Sequence, residues 1–144
     1  MTEEVTEEVT EEEVDEIGCF MGTGRRKTSV AQVRLFEGKG IFQVNGKPYD
    51  QYFTVDRLVQ SIQAPFFVTN TRQDYDITVK VKGGGPTGQA GAIVLAVSRA
   101  LAKVSRENHQ ELKKGRLLTR DSRMVERKKA GCHKARRGKQ FSKR

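Results

Sequence analysis

No stretch of this chain approaches the roughly eighteen consecutive apolar residues that a membrane-spanning helix needs, so no span is expected. Cysteine is nearly absent. Cys19 and Cys132 lie far apart and no Cys-x-x-Cys pair exists, which argues against a disulfide framework and a thiolate metal site and fits a reducing cytosol. The N-terminus lacks both an apolar run and arginine, so neither a secretory signal nor a transit peptide is expected. The first sixteen residues hold no base, and from Lys113 onward there are only two acids, Asp121 and Glu126. Large apolar side chains are scarce in that terminal stretch too. It cannot bury enough surface to offset its ordering entropy, and is expected to stay unstructured until a polyanion orders it.

What the chain does hold is charge, sorted by sign. Nine acids (Glu3, Glu4, Glu7, Glu8, Glu11, Glu12, Glu13, Asp15, Glu16) crowd a low-complexity Thr-Glu-Glu-Val repeat. The whole chain of 144 residues carries +9, so without those nine acids the remainder carries +18. From Lys113 to the end there are fourteen Lys and Arg. A field of that strength and sign suits a phosphate backbone better than a small metabolite. Three regions follow: an acidic, disordered leader over 1–16, a folded body over 17–118, and an extended basic tail over 119–144.

Within the body the periodicities are legible. Residues 28–36 alternate as a strand, with Ala31, Val33 and Leu35 on one face and Gln32 and Arg34 on the other. Glu37-Gly38-Lys39-Gly40 reads as a turn, and residues 41–44 as the returning partner strand. Asn45-Gly46-Lys47-Pro48 breaks the pattern. Residues 49–63 have helical spacing through Val55, Leu58, Val59 and Ile62, and Pro65 is expected to end that helix. Residues 75–82 are the clearest strand, with Tyr75, Ile77, Val79 and Val81 on its buried face. A long helix follows to about residue 106, with Ile93, Val97, Ala100, Leu101 and Val104 as its stripe, then a short helix over 108–114 with Gly115 at its C-cap.

Two glycine-rich stretches invite a chemical reading. Gly22-Thr23-Gly24 precedes Arg25-Arg26-Lys27, and small residues beside three bases would let backbone come close to phosphate. The loop 83–88 fits Gly-x-Gly-x-x-Gly by letter, but Glu107 lies in a polar stretch with no strand beneath it. Gln89 and Ala90 stand where a P-loop needs Lys and Ser or Thr. Nucleotide binding is therefore disfavoured, although N–H groups at a helix start can still grip a phosphate of RNA. Cys132 and His133 are adjacent and remote from Cys19 and His109, which gives no metal or catalytic constellation. No cofactor and no enzymatic activity are expected.

The motifs Gly22-Thr23-Gly24-Arg25-Arg26-Lys27-Thr28-Ser29-Val30-Ala31, Asn45-Gly46-Lys47, Gly83-Gly84-Gly85 with Gly88-Gln89-Ala90-Gly91-Ala92, and the tail from Leu118-Thr119-Arg120-Asp121 through Glu126-Arg127-Lys128-Lys129 to Gln140-Phe141-Ser142-Lys143-Arg144 run in one order. Together they resemble the bacterial type of the small-subunit ribosomal protein nine family, over residues 19–144. The resemblance implies an α+β fold: a four-stranded mixed sheet backed by helices, like the second domain of ribosomal protein five, with a left-handed βαβ crossover. It implies a structural role in the small ribosomal subunit in translation, cytoplasmic and ribosome-bound. The body would sit on rRNA in the subunit head beside other head proteins.

On that resemblance rRNA contacts fall at Arg25, Arg26, Lys27, Gly83, Gly84, Gly85, Arg120, Arg123, Arg127, Lys128, Lys129, Lys134, Arg136 and Arg137. The tail tip would reach the anticodon stem-loop of tRNA in the peptidyl site, with Lys143 and Arg144 on phosphates and Gln140 and Ser142 nearby. Relatives commonly carry Pro before that Gln; here Gly138-Lys139 loosens the backbone. From the residues alone, 26 tail residues span roughly 85 Å when fully extended, enough to touch a second RNA. If half the fourteen bases neutralise phosphates, the log–log salt slope is about −5.

Overall fold

The computed structural model of the chain describes residues 14–15 and 18–143. Most of the acidic leader, and Arg144, lie outside the described residues. Six strands form one mixed sheet: β1 (Val14–Asp15), β2 (Cys19–Arg26), β3 (Ser29–Glu37), β4 (Phe42–Val44), β5 (Lys47–Pro48) and β6 (Tyr75–Lys82). Their order is β1-β2-β3-β6-β4-β5. The four central strands correspond to the expected four-stranded sheet, and β1 and β5 add two residues each at its edges. The helices are α1 (Tyr49–Tyr52), α2 (Asp56–Thr69), α3 (Pro86–Val104) and α4 (Arg106–Lys114).

The alternation in β6 does what it foretells. Ile77, Val79 and Val81 are buried and Thr78, Lys80 and Lys82 are exposed. Across the antiparallel β3–β6 ladder Val33 faces Val79, Leu35 faces Ile77 and Ala31 faces Val81. One sheet face is therefore apolar and carries the core. Helix α3 packs on this face over β2 and β3, and α2 and α4 pack against α3.

The expected partner of residues 41–44 is wrong. Strand β4 does not return beside β3; it runs parallel to β6, Phe42 opposite Ile77 and Val44 opposite Val79. The reason is the loop between them. Asp76 Oδ1 accepts hydrogen bonds from the N–H groups of Lys39 (2.9 Å), Gly40 (3.0 Å) and Ile41 (2.9 Å). Gly38 permits this, because a Cβ there would collide with the Asp76 carboxylate. The loop is thereby wrapped around the start of β6 and delivered to its far side. Hydrogen bonding to these amides, Ile41 foremost, holds the Asp76 carboxyl below the usual range.

Pro65 does not end its helix either. The predicted helix is broken earlier, at the extended residue Phe53, and α2 then continues past Pro65 to Thr69. Pro65 is fully buried beside Phe66, so packing offsets the missing N–H, and Thr69 Oγ1 donates to the Pro65 carbonyl at 2.9 Å. Asn70, at φ 55°, supplies the left-handed stop.

Helix α4 starts two residues earlier than expected, with Ser105 Oγ accepting from the Glu107 amide as N-cap. Its end is a Schellman turn: the Leu117 amide donates to Leu112 and the Arg116 amide to Lys113. Gly115 is the C-cap, but it stays right-handed, and the left-handed residue is Arg116 at φ 56°. Leu112 is the single buried residue of α4.

Candidate nucleic-acid interface

The period-two glycines of β2 have a packing task. Gly22 and Gly24 lie opposite Val33 and Ala31, on the apolar face. A Cβ on Gly22 would collide with the Ala96 carbonyl, and one on Gly24 with the Ala92 carbonyl. Ala92, Ala96 and Ala100 recur every fourth residue on α3 and are wholly buried. Strand and helix backbones therefore meet with no side chain between them, and these glycines do not face a phosphate as their neighbouring bases suggested.

The bases beside them do reach solvent. Strands β2 and β3 close at a two-residue turn, Lys27-Thr28, with Lys27 left-handed at φ 51°. Arg25 and Lys27 are exposed. Arg26 is half-buried: its side chain lies over Gly91, and its Nη2 is 3.3 Å from Asp121 Oδ2. Its buried Nε has no acceptor among the described residues.

The glycine loop is fixed to this hairpin. Buried Ser29 donates from Oγ to the Gly83 carbonyl at 2.9 Å, and Gln89 Nε2 donates to the same oxygen at 3.1 Å. Tyr52 OH in turn donates to Gln89 Oε1 at 2.9 Å. Gly83 and Gly84 are left-handed, at φ 74° and 69°, and a Cβ on Gly84 would collide with Ser29 Oγ. Gly85, the N-cap of α3, has ordinary extended backbone and open space where a Cβ would go. The loop thus brings Arg25, Lys27 and the start of α3 together, and only Gly85 faces outward without an internal steric reason to be glycine.

Beyond Leu118 the described residues form neither helix nor strand. Asp121 ties the root of this segment to the hairpin. Arg123 donates to it from Nε and Nη2, at 3.0 and 2.7 Å, and also from its backbone amide. These hydrogen bonds, with the charges of Arg123 and Arg26 behind them, hold the Asp121 carboxyl far below the usual range and raise Arg123. Further on the segment folds back instead of running extended. Glu126 meets both Lys129 (2.6 Å) and Arg136 (3.0 Å), and the His133 amide donates to the Arg137 carbonyl. Arg120, Arg127, Lys128, Lys134, Arg137, Lys139 and Lys143 are exposed, with no carboxylate against them among the described residues. Gln140 and Ser142 are exposed as well, far along the chain from the hairpin.

Two bases escaped the sequence reading. A cavity of about 360 Å³ opens between the hairpin, α2, α3 and the root of the tail, and Arg57 and Arg116 line it with Arg25 and Arg26. Arg57 was hidden in the first turn of an amphipathic helix, and Arg116 looked like one more base before the tail. No sequence signal marks Arg116, because Gly115 just before it already supplies the glycine usual at a helix end; only the fold gives the left-handed position to Arg116.

The ribosomal protein S9/S16 family model matches residues 24–144. A small ribosomal subunit protein uS9 from Rickettsia bellii is 48% identical over the whole of this chain and 88% of its own length. Its counterpart from Gloeothece citriformis is 52% identical, covering 92% of this chain and 97% of the relative. The one from Mesoplasma florum is 54% identical over 87% of this chain and 95% of its own length.

Proposed function

This chain belongs to the ribosomal protein S9/S16 family, and on that premise we propose that its body anchors on rRNA of the small-subunit head while its C-terminal segment reaches tRNA in the peptidyl site. It is a ribosome-bound structural constituent of the small subunit and takes part in translation. Its rRNA contacts are the hairpin tip (Arg25, Arg26, Lys27), the loop at Gly83, Gly84 and Gly85, and the bases Arg120, Arg123, Arg127, Lys128, Lys129, Lys134, Arg136 and Arg137. Gln140, Ser142, Lys143 and Arg144 take the anticodon stem-loop, and other head proteins flank the body in the cytoplasmic ribosome. The observation that carries this reading is the unopposed charge: fourteen bases against two acids from Lys113 onward, nearly all solvent-exposed. Arg brings forked donors to phosphate and Lys a compact charge, and neither finds enough carboxylate within the chain.

Sedimentation of tagged chain from lysate, before and after a high-salt wash, tests the anchor. Wash-resistant co-migration with the small subunit is the expected result; recovery at the top of the gradient, or spread over all RNA, counts against it. For the tip, deleting Lys143 and Arg144 should leave incorporation intact and speed tRNA dissociation from the peptidyl site. An unchanged dissociation rate refutes the tRNA contact.

A further inference from the structure

We infer that the cavity between the hairpin, α2 and α3 is a built receptor for one unpaired RNA nucleotide, with Arg57 and Arg116 on its phosphate. The inference rests on the RNA-binding reading above and names a site within it. Four guanidiniums line the cavity and one carboxylate, Asp121, opposes them. That carboxylate is already committed to Arg26 and Arg123. Arg57 and Arg116 are exposed and meet no carboxylate among the described residues, so the cavity presents net positive charge to an incoming anion.

The conformation of Arg116 is the second observation. Among the described residues four non-glycines adopt positive φ: Asn45 and Asn70, of a type that favours it, and Lys27 and Arg116, of types that adopt it less readily. Of the latter two, Arg116 lines the cavity, and Lys27 sits at the hairpin turn two residues after the lining Arg25. At the left-handed position after α4 the fold favours glycine, and an arginine that lines the cavity is held there. A strained residue kept at a position where an easier one would stabilise the fold points to use of its side chain.

Leu58, Val94 and Leu95 form an apolar floor beneath these charges. Apolar surface under a ring of guanidiniums suits a base laid flat with its phosphate at the rim, whereas duplex RNA would present only its backbone. The volume of about 360 Å³ falls at the small end of ligand sites and admits one nucleotide.

The test is a salt titration of the full chain on isolated small-subunit rRNA, for wild type, Arg57→Ala and Arg116→Gly, with a thermal melt of each. Each variant is expected to bind about tenfold more weakly. Each should also lower the log–log salt slope by about 0.7. Arg116→Gly should melt at or above the wild-type temperature, a combination that a purely structural arginine cannot produce. Unchanged slopes in both variants beside a steep wild-type slope overturn the receptor and leave the RNA-binding reading standing. A flat wild-type slope overturns that reading, and the receptor with it. In assembled subunits, Ser61→p-benzoylphenylalanine at the cavity wall should photo-cross-link to a single rRNA nucleotide. An adduct to another protein, or to the acidic leader, assigns the cavity to a different occupant and overturns the inference.

Discussion

Glycines with the same look in the sequence hold different positions in the structure. Gly24 is pressed against the Ala92 carbonyl, Gly84 against Ser29, and Gly85 against nothing. Gly24→Ala should therefore cost about 3 kcal/mol by chemical denaturation, since backbone cannot yield as a side chain can. Gly85→Val should cost about 1 kcal/mol or less, from a poorer N-cap, and lower rRNA affinity at nearly unchanged stability. Equal losses of stability at both positions would mean that Gly85 is a packing residue. Sequence alone could not separate these cases, because a glycine motif records the absence of a side chain and not what fills the space. The missing half of the signal was on α3, in Ala92, Ala96 and Ala100, whose four-residue spacing is the complement of the β2 glycines. Asp76 gives a second prediction at this scale. Its folded carboxyl titrates below the ordinary value, so it stabilises the fold above about pH 4, and that contribution fades as pH falls. The stability gap between wild type and Asp76→Asn, measured by denaturation across pH, should be largest near neutrality and should shrink in acid. A gap independent of pH would exclude the titration of Asp76 as its cause.

Elements were legible in proportion to how far their own residues decide them. The burial of β6 follows from alternation within eight residues, and the stripe of α3 from its own periodicity, save that Val104 is only partly buried. The pairing of β4 does not follow in that way, since apolar alternation marks a strand without marking its neighbour. Three amides on one Asp76 oxygen decide it instead. Pro65 was misread for the same reason: its rank as a helix breaker is a property of exposed helices, and here burial outweighs it. Helix α4 is the element most open to a single change. Its polar surface leaves Leu112 as its one buried anchor, and the Leu117 amide closes the Schellman turn on that residue. Leu112→Ala should cost about 2–5 kcal/mol. Amide exchange should rise over residues 106–118 ahead of the sheet; uniform exchange across the body would show that α4 does not move as a unit.

For the whole molecule, the charge distribution was plain from the sequence and the cavity was not, because Arg25, Arg57 and Arg116 come from three elements that only the fold brings together. Removing the acidic leader, residues 1–16, should leave incorporation into the small subunit intact; its loss on truncation would give the leader an essential part. The central position of β6 has a further effect, on the order of events during synthesis. As the chain emerges from the ribosome, β3 and β4 are complete by residue 44, yet the strand that must lie between them ends at residue 82. Until then each keeps an edge of unpaired amides and carbonyls, and no hairpin between them can form as a productive step. The nascent body is thus a late, non-local folder with strand edges in need of protection, and the basic tail emerges only after β6 has been made.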